Sequence, residues 1–266
     1  MRIEMPLTTI VEDLKSDVEV ESYGDIVALG GVVTAESVLS AYARGIFPMT
    51  VGIATAAQSG DGGQGGVEDA DDADAGGHAD TEMPEVLAWW SPIERGILPL
   101  HRLRISRSLA KSCRRYHVTV DESFDEVLDA CADPNREGTW IQPDFHAAYL
   151  EMFQSGYAHS FETRDSSGRL VGGLICVEQG GLINGDSMFH RERDASKVAL
   201  VALVRRLRSA QPVTAIHDNA GGRLLDVQWV TEHLASLGAV SVPRSSYMSM
   251  LEHARGAAPV LTSSIA

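Results

Sequence analysis

The chain has 266 residues, 44% of them hydrophobic, which is enough to bury a core in one large domain or two modest ones. It has no apolar run near the roughly 18 residues that cross a bilayer, and its start, with acids and a proline, lacks the apolar segment of a signal peptide; a membrane-spanning or secreted protein is disfavoured and a cytoplasmic location expected. The formal net charge of −15 argues at first against a nucleic-acid partner.

Residues 24–50 predict a compact first unit. Thr34 suits a helix N-cap, an apolar stripe follows at helical spacing, and Gly45 suits the helix end. The chain then leaves in extended form through Ile46–Pro48. Residues 51–85 come next and hold nine acidic residues and no Lys or Arg among many Gly and Ala. Such a composition cannot bury enough apolar surface to offset its ordering entropy, so we expect a disordered insertion in a loop.

The segment 101–120 is basic, in contrast to that acidic insertion. It contains six basic residues and no acid, and a helix is predicted over 106–116. A single basic patch on an otherwise acidic protein suits a polyanion that binds at this patch alone. A solvated helix face is an equally weighted alternative, although such faces usually mix both charge signs. The basic residues that recur at helical spacing are Arg104, Arg107, Lys111 and Arg114.

The rest of the chain predicts an α+β (α/β-like) fold, because helices give way to a run of strands and then alternate with strands. Helices are predicted over 122–132 and 143–155, followed by three antiparallel strands between 157 and 189. The order resembles the core of Gcn5-related acyltransferases, a likeness of fold that establishes no chemistry. The later elements are a helix over 195–209, a strand or loop over 213–222, a strand around Asp226, a helix over 230–237, a strand over 239–242 and a helix over 244–254.

Residues 225–229, Leu-Asp-Val-Gln-Trp, carry the most informative pattern of the chain. Apolar and polar residues alternate, so a strand is predicted on which Asp226 and Gln228 lie side by side on one face. A carboxylate next to a carboxamide in apolar surroundings suits the holding and deprotonation of an amine. The alternative is an edge strand whose polar face meets water, and the segment by itself favours that alternative.

Two further groups of residues are candidates for the same site. Asp186 supplies a carboxylate and Met188 an apolar wall within Asn184–Phe189, unless Asp186 only satisfies the amides of a turn. Trp90 and Trp140 belong to a residue type that is usually found in cores or interfaces. A tryptophan ring near the basic patch can also stack on an unpaired base, which is worth roughly 1–3 kcal/mol.

The sequence gives no sign of a metal or a bound cofactor. It has no Gly-rich phosphate loop of the P-loop or dinucleotide type, and Val171–Leu174, with its two glycines, lies inside a strand pattern where close packing or a bulge explains it better. Cys113, Cys131 and Cys176 are far apart and lack His partners at metal spacing. Reduced thiols that pack in the core are expected, and we predict no cofactor and no metal.

In this order the segments closely resemble the leucyl/phenylalanyl-tRNA–protein transferase family, over most of 24–50 and 86–252. The family pattern has Glu where this chain has Asp186, which is one methylene shorter. The insertion 51–85 and the segment 211–220 are longer than usual, and neither interrupts a motif. The matching stretches are Leu29–Gly31, Tyr42–Pro48, Trp89–Pro92, Ile105–Ser108, Gly138–Ile141, Ala158–Ser160, Leu170–Gly173, Gly185–Phe189, Ala195–Lys197, Asp226–Gln228, His233–Ala239 and Pro243–Arg244.

The resemblance implies an enzyme that moves Leu or Phe from aminoacyl-tRNA onto the N-terminal amine of proteins beginning with Arg or Lys, which marks them for N-end-rule degradation. It implies a small N-terminal α+β domain over 1–100 and a Gcn5-like C-terminal domain over 101–266, and we expect a monomer. Asp226 and Gln228 fall on the catalytic pair, and Asp186 falls on a functional acid of the site. The other expected site residues are Leu174, Met188, Leu203 and Leu225 in the aminoacyl pocket, Trp90 and Trp140 stacking on the tRNA 3′ end, and Arg104, Arg107, Lys111 and Arg114 on the tRNA backbone.

Direct aminolysis of the ester is the expected mechanism, with Gln228 orienting the amine, Asp226 polarising Gln228 and accepting charge, and no covalent intermediate. Deprotonating an α-amino group costs only about 1–1.5 kcal/mol at neutral pH, whereas positioning can contribute roughly 7–11 kcal/mol. Two alternatives stay open. One is an acyl-CoA-dependent N-acetyltransferase, which Arg191 and Arg193 support poorly because no glycines accompany them; the other is a non-catalytic adaptor for tRNA or basic peptides.

Overall fold

Some sequence predictions fall outside the part of the chain that the structure describes. They are almost all of the insertion 51–85, the longer segment 211–220, and with it the strand or loop expected from residue 213. The computed structural model describes residues 24–52, 85–136, 139–210 and 222–261.

The described residues form ten strands and seven α-helices, which confirms the α+β class. None of these helices combines the length and the apolar character needed to cross a membrane. The strands are β1 (Ile26–Leu29), β2 (Phe47–Gly52), β3 (Glu85–Trp90), β4 (Glu94–Ile97), β5 (His117–Val120), β6 (Ala158–Arg164), β7 (Leu170–Gln179), β8 (Leu182–His190), β9 (Leu224–Gln228) and β10 (Val240–Pro243). The helices are α1 (Ala35–Tyr42), α2 (Arg107–Arg115), α3 (Phe124–Ala132), α4 (Pro143–Gln154), α5 (Ala195–Ser209), α6 (Glu232–Leu237) and α7 (Arg244–Arg255).

Local chemistry sets the helix ends where the sequence predicted them. The Thr34 hydroxyl accepts the backbone N–H of Ser37 at 3.1 Å, which caps α1. Gly45 follows α1 with φ +75°, a left-handed conformation that a residue with a side chain adopts only under strain. Pro143 is the first residue of α4, a position whose N–H has no partner within a helix.

The first sheet has three antiparallel strands in the order β1-β3-β2. The pairing of β2 with β3 runs from Phe47 opposite Trp90 to Gly52 opposite Glu85. Gly52 and Glu85, at the two sides of the insertion, are therefore paired across neighbouring strands. This pairing explains how a long insertion can be added there without moving any strand.

The second sheet has seven strands in the order β10-β4-β9-β8-β7-β6-β5. Only the pair β8–β9 is parallel among these strands, and it is connected through α5. Its register places Asn184 opposite Asp226, which brings the two acidic candidates, Asp186 and Asp226, to neighbouring strands. Strand β4 lies between β10 and β9, although it precedes the expected domain boundary at residue 100. The division of the chain at that boundary stays a prediction.

Hydrophobic cores cover both faces of the large sheet. On β7, Ile175 and Val177 face the core built by α1, α3, α4 and α7, whereas Leu174 and Cys176 face the core under α5. At Gly172 an added Cβ would lie 2.5 Å from the Cβ of Ala195, the first residue of α5. Close packing against a helix therefore explains this strand glycine, as the sequence predicted.

The three cysteines carry free thiols. Cys131 and Cys176 are buried in the cores, as expected, whereas Cys113 on α2 is only half-buried. Burial raises the pKa of the Cys131 thiol to about 11, so this thiol stays protonated at neutral pH.

Candidate active site

An apolar cavity of about 230 Å³ opens where the two sheets meet. Strand β2 contributes Phe47–Met49, β8 contributes Gly185–Met188, and the end of β9 with its next residue contributes Val227–Trp229. Leu200 of α5 and Leu234 of α6 also line it. A mainly apolar hollow with a few polar groups at one end is the usual form of a small-molecule site.

The expected aminoacyl pocket coincides with this cavity for two of its four residues. Leu174 and Met188 line the cavity. Leu203 and Leu225 are instead buried in the core under α5 and are absent from the cavity wall. For Leu203 the reason is helical geometry, because only the turn of α5 that carries Leu200, three residues earlier, reaches the cavity.

Gln228 ends β9 with a left-handed backbone, φ +58°. Such a conformation costs a residue with a side chain roughly 1–2 kcal/mol. It turns the Gln228 side chain into the cavity, where Nε2 donates a hydrogen bond to Asp186 Oδ1 at 3.1 Å. Gln228 is thus the last residue of the predicted strand, and that it shares one face with Asp226 stays a prediction.

Asp226 is completely buried and does not line the cavity. Its Oδ1 accepts the backbone N–H of Gln228 at 2.9 Å and the Nε–H of Arg95 at 2.9 Å. Its Oδ2 accepts a second N–H of Arg95 at 2.5 Å and the hydroxyl of Tyr247 at 2.6 Å. Asp226 thus holds the main chain of Gln228, whereas the predicted contact between their side chains is replaced by the contact of Gln228 with Asp186.

Asp186 lies at a β-bulge of β8, opposite the step from Ile175 to Cys176. Bulges redirect a side chain and occur often beside active sites. Burial is the largest influence on its carboxyl group, and the nearby charge of Asp226 acts in the same direction, so the pKa of Asp186 rises to about 8 although the hydroxyls of Tyr149 and Tyr42 lower it. The group can both release and accept a proton near neutral pH.

Two tyrosines behind Asp186 were missed as site residues by the sequence reasoning. The Tyr149 hydroxyl donates to Asp186 Oδ2 at 2.8 Å, and the hydroxyls of Tyr42 and Tyr149 are 3.1 Å apart. Both rings are buried, and burial raises the pKa of each hydroxyl well above its ordinary value. The sequence did contain a signal for them. Each tyrosine lies on the apolar stripe of its helix, α1 or α4, and a buried tyrosine hydroxyl needs a polar partner.

The two tryptophans expected to stack on the RNA end occupy different positions. Trp140 lines the cavity. Trp90 lies behind the cavity wall. Its Nε1 donates to the Met49 carbonyl at 3.1 Å, and its ring contacts Trp229 edge-on at 5.4 Å. Trp229, which the sequence reasoning treated only as apolar framing, is the ring that reaches the cavity from this side.

The four predicted RNA-contacting residues form an exposed basic patch on and just before α2. Arg104, Arg107, Lys111 and Arg114 are exposed, and within the described part of the chain none of them forms an ion pair. The backbone N–H of Arg104 donates to the Leu237 carbonyl at the end of α6, the helix that supplies Leu234 to the cavity. The basic patch and the cavity therefore share a supporting helix.

Within the described residues, no group of three or more His, Cys, Asp or Glu is placed to hold a metal ion. The polar residues that line the cavity include Asp186 and Gln228, together with Tyr42, Ser187 and Thr231.

Comparison with known proteins places this site in a family. A family model described as leucyl/phenylalanyl-tRNA protein transferase matches residues 97–252. The chain is similar to curated proteins named leucyl/phenylalanyl-tRNA–protein transferase: it is 47% identical to one from Rhizorhabdus wittichii over 67% of this chain and 69% of that protein. It is 40% identical to one from Chromobacterium violaceum over 85% of this chain and 81% of that protein.

Solved structures give a partial likeness. The structure of L-PGS from Bacillus licheniformis matches with a TM-score of 0.33 and 15% identity, over 54% of this chain and 50% of that one. An aminoglycoside N-acetyltransferase AAC(6′)-Iy in complex with CoA matches with a TM-score of 0.28 and 14% identity, over 55% of this chain and 90% of that one.

The sequence matches, together with a cavity that ends at a carboxamide and a carboxyl group, define an aminoacyltransferase. The family model alone covers more than half of the chain. The chain belongs to the leucyl/phenylalanyl-tRNA–protein transferase family.

Proposed function

We propose that this enzyme transfers Leu or Phe from aminoacyl-tRNA to the N-terminal α-amino group of proteins that begin with Arg or Lys, and so marks them for N-end-rule degradation. The observation that carries the proposal is the apolar cavity with the Gln228 side chain at its polar end. An isobutyl or benzyl side chain suits the apolar walls, and the ester carbonyl would then lie at the polar end. The cytoplasmic location and the monomeric state remain predictions from the sequence.

The reaction is the aminolysis of an ester. The amine nitrogen bonds to the aminoacyl carbonyl carbon, the bond from that carbon to the ribose oxygen breaks, the ribose hydroxyl regains a proton, and the attacking nitrogen loses one. An α-amino group has a pKa of about 7.7–8.0, so its neutral form costs little at neutral pH. Holding the amine against the carbonyl is worth more, roughly 7–11 kcal/mol, so positioning is the main task of the site.

Gln228 is the residue that positions the amine. Its Nε2 is engaged by Asp186, whereas its Oε1 has no hydrogen-bond partner among the described residues. Oε1 is therefore free to accept an N–H of the incoming amine and to direct the nitrogen lone pair toward the ester. The left-handed backbone and the bond from its N–H to Asp226 fix the direction of this side chain.

Asp186 is the proton acceptor that the geometry supports. Its pKa of about 8 matches that of an α-amino group, a condition that favours proton transfer between the two. Asp226 is less suited to this task, because it is ion-paired with Arg95, completely buried and absent from the cavity wall. In this assignment Asp226 supports Gln228 and stays outside the proton transfer.

The walls of the cavity provide the selectivity for Leu and Phe. A side chain one methylene smaller loses roughly 1–3 kcal/mol of binding in such a pocket, which disfavours Val and Ala. The exposed basic patch of α2 provides the contact with the tRNA backbone. Trp140 stacks on the terminal base, an assignment supported by its position in the cavity wall.

The test of this proposal is a transfer assay with the full-length chain. Purified protein is incubated with radiolabelled Leu-tRNA or with labelled acetyl-CoA, each with a peptide that begins with Arg. We expect labelled Leu on the peptide, none when the peptide is N-acetylated, and much less on an otherwise identical peptide that begins with Glu. Transfer of acetyl groups, or binding of Leu-tRNA without any transfer, would overturn the proposal in favour of an acetyltransferase or an adaptor.

A further inference from the structure

Arg95 is a buried arginine of β4 whose guanidinium reaches two separate parts of the site. The residue is 1% exposed. Its Nε and Nη2 form a forked pair with the carboxylate of Asp226, at 2.9 and 2.5 Å. Its remaining nitrogen, Nη1, donates to the Gly45 carbonyl at 3.0 Å, in the turn that leads from α1 into β2.

Two aromatic rings enclose the same guanidinium. Its carbon lies 4.6 Å from the ring centre of Phe47 and 4.7 Å from that of Tyr247. Phe47 lines the cavity, and the Tyr247 hydroxyl donates to Asp226. The turn has little room to move, because a Cβ added at Gly45 would lie 3.0 Å from the Tyr247 ring.

These contacts connect the two walls of the cavity through one side chain. One wall is Phe47–Met49, which begins two residues after the carbonyl that Arg95 holds. The other is the polar end, where Asp226 holds the backbone N–H of Gln228. The two walls belong to different sheets, so their relative position depends on the contacts between them. The Arg95 guanidinium is one such contact, and the edge-on contact of Phe47 with Trp229 at 4.8 Å is another.

We propose that Arg95 is a positioning residue that sets the direction of Gln228 and the place of the Phe47–Met49 wall together, so that turnover and aminoacyl selectivity depend on one guanidinium. The inference rests on the proposed function. A lysine cannot take over this task, because an ammonium is a point charge without the planar fork that binds a carboxylate in two places and a carbonyl in a third.

The first experiment compares Arg95→Lys with wild type in the transfer of Leu and of Val from their tRNAs. We expect kcat for Leu to fall about tenfold or more, because small misplacements of a reacting group are costly, and the preference for Leu over Val to shrink severalfold in the same variant. Thermal unfolding and near-ultraviolet circular dichroism establish that the variant is folded. The matched control is Arg169→Lys, since Arg169 also contacts two carboxylates, Asp165 and Glu192, but is largely exposed and belongs to no part of the site.

A folded Arg95→Lys with wild-type kcat and wild-type preference would overturn the inference. So would a loss of activity that matches the unfolded fraction while the preference stays unchanged, because a merely structural role moves only the amount of active protein. An inactive wild type, in contrast, would count against the proposed function. The two failures are therefore distinguishable.

If Arg95→Lys does not fold, a double-mutant cycle decides. Phe47→Leu removes the ring on one face of the guanidinium, and Tyr247→Phe removes the hydroxyl that Asp226 accepts on the other side. Two substitutions act additively on kcat/KM unless the residues touch or share a partner, and the partner that the structure gives these two rings is the Arg95 guanidinium. Non-additive losses support Arg95 as that partner, and additive losses overturn the inference.

Discussion

Gln228 combines a strained backbone with a side-chain amide at the polar end of the cavity. The left-handed φ of +58° persists because Asp226 captures its N–H, and Asp226 in turn is held by Arg95 and Tyr247. Strain that the surroundings maintain in this way is frequent at functional sites. The geometry gives the amide a fixed direction before any substrate arrives.

Gln228→Ala tests whether that amide carries the reaction. Alanine bears the same left-handed strain as glutamine, so we expect an unfolding free energy within about 1 kcal/mol of wild type. We expect kcat to fall about 100-fold or more, because the amine loses its orienting acceptor, while KM for Leu-tRNA changes little. Steady-state kinetics and urea unfolding measure both. The control is Gln142→Ala, an exposed glutamine on the surface, and equal kinetics for the two variants would refute the assignment.

Asp186 should make stability depend on pH in an unusual direction. Its pKa is raised by burial from 3.8 to about 8, so the native state binds this proton more tightly than the unfolded chain does. The stability that the proton supplies is complete below about pH 4 and is lost as the pH rises through 8. Relative to Asp186→Asn, wild type should lose at most about 1.4 kcal/mol per pH unit over that range. Urea unfolding of both proteins at several pH values checks this, and parallel curves would contradict the raised pKa.

Among the elements, those with local signals were predicted well. The N-cap Thr34, the initial Pro143 and the strand glycine Gly172 all act through neighbours in sequence or through simple lack of space. Positions set by tertiary contacts were not predictable. Gln228 has a left-handed backbone whose N–H donates to Asp226, and Leu203 lies in the core under α5, whereas Leu200 of the same helix lines the cavity.

The basic helix α2 yields a prediction about RNA binding. Arg107→Ala with Lys111→Ala removes two exposed cations, neither ion-paired within the described part of the chain, so the KM for Leu-tRNA should rise and its dependence on salt should weaken. The logarithmic salt slope should fall by about 1.4–1.8 in magnitude, which corresponds to two released counterions. Filter binding over a range of salt concentrations measures this. Arg115→Ala on the same helix is the control, because Arg115 is paired with Glu192; an unchanged slope in the double variant would leave α2 as a solvated face.

The contact between β7 and α5 predicts a stability effect at Gly172. Gly172→Ala places a Cβ 2.5 Å from Ala195, and relief of this overlap should cost about 1–3 kcal/mol of unfolding free energy. Gly256→Ala is the matched control, since its nearest neighbour would be 3.7 Å away and its φ is −79°. Chemical denaturation compares the two. Equal unfolding free energies for the two variants would show that α5 can move away from β7 without loss of stability.

At the scale of the whole molecule, the sequence predicted the class and the family more fully than it predicted the arrangement of the site. Motifs such as Asp226–Gln228 and Gly185–Phe189 identified which segments matter, because the chemistry resides in those residue types. The sequence did not show that β4 would join the large sheet or that its Arg95 would hold Asp226. Both depend on residues more than a hundred positions apart, and no local pattern encodes such a pairing.

The strand pairing of Gly52 with Glu85 predicts that the insertion between them is dispensable for transfer. Replacing residues 53–84 with Asn-Gly, a sequence suited to a tight hairpin turn, should leave kcat and KM near wild type. Shortening the connection should also stabilise the fold by up to about 2–3 kcal/mol through loop entropy. Kinetics and thermal unfolding test this against a control with the same segment in scrambled order. A loss of activity confined to the deletion would assign the insertion a functional part.

The dependence of Asp226 on Tyr247 has a consequence during synthesis on the ribosome. The carboxylate receives one of its hydrogen bonds from α7, close to the end of the described chain. A polypeptide that lacks α7 has no Tyr247 hydroxyl to donate to Asp226. The buried Asp226–Arg95 pair then loses one of its hydrogen bonds, and Gln228 loses part of its support. We therefore expect a chain that stops before Tyr247 to have no aminoacyl-transfer activity, because Asp226 then lacks the hydroxyl that helps to hold it.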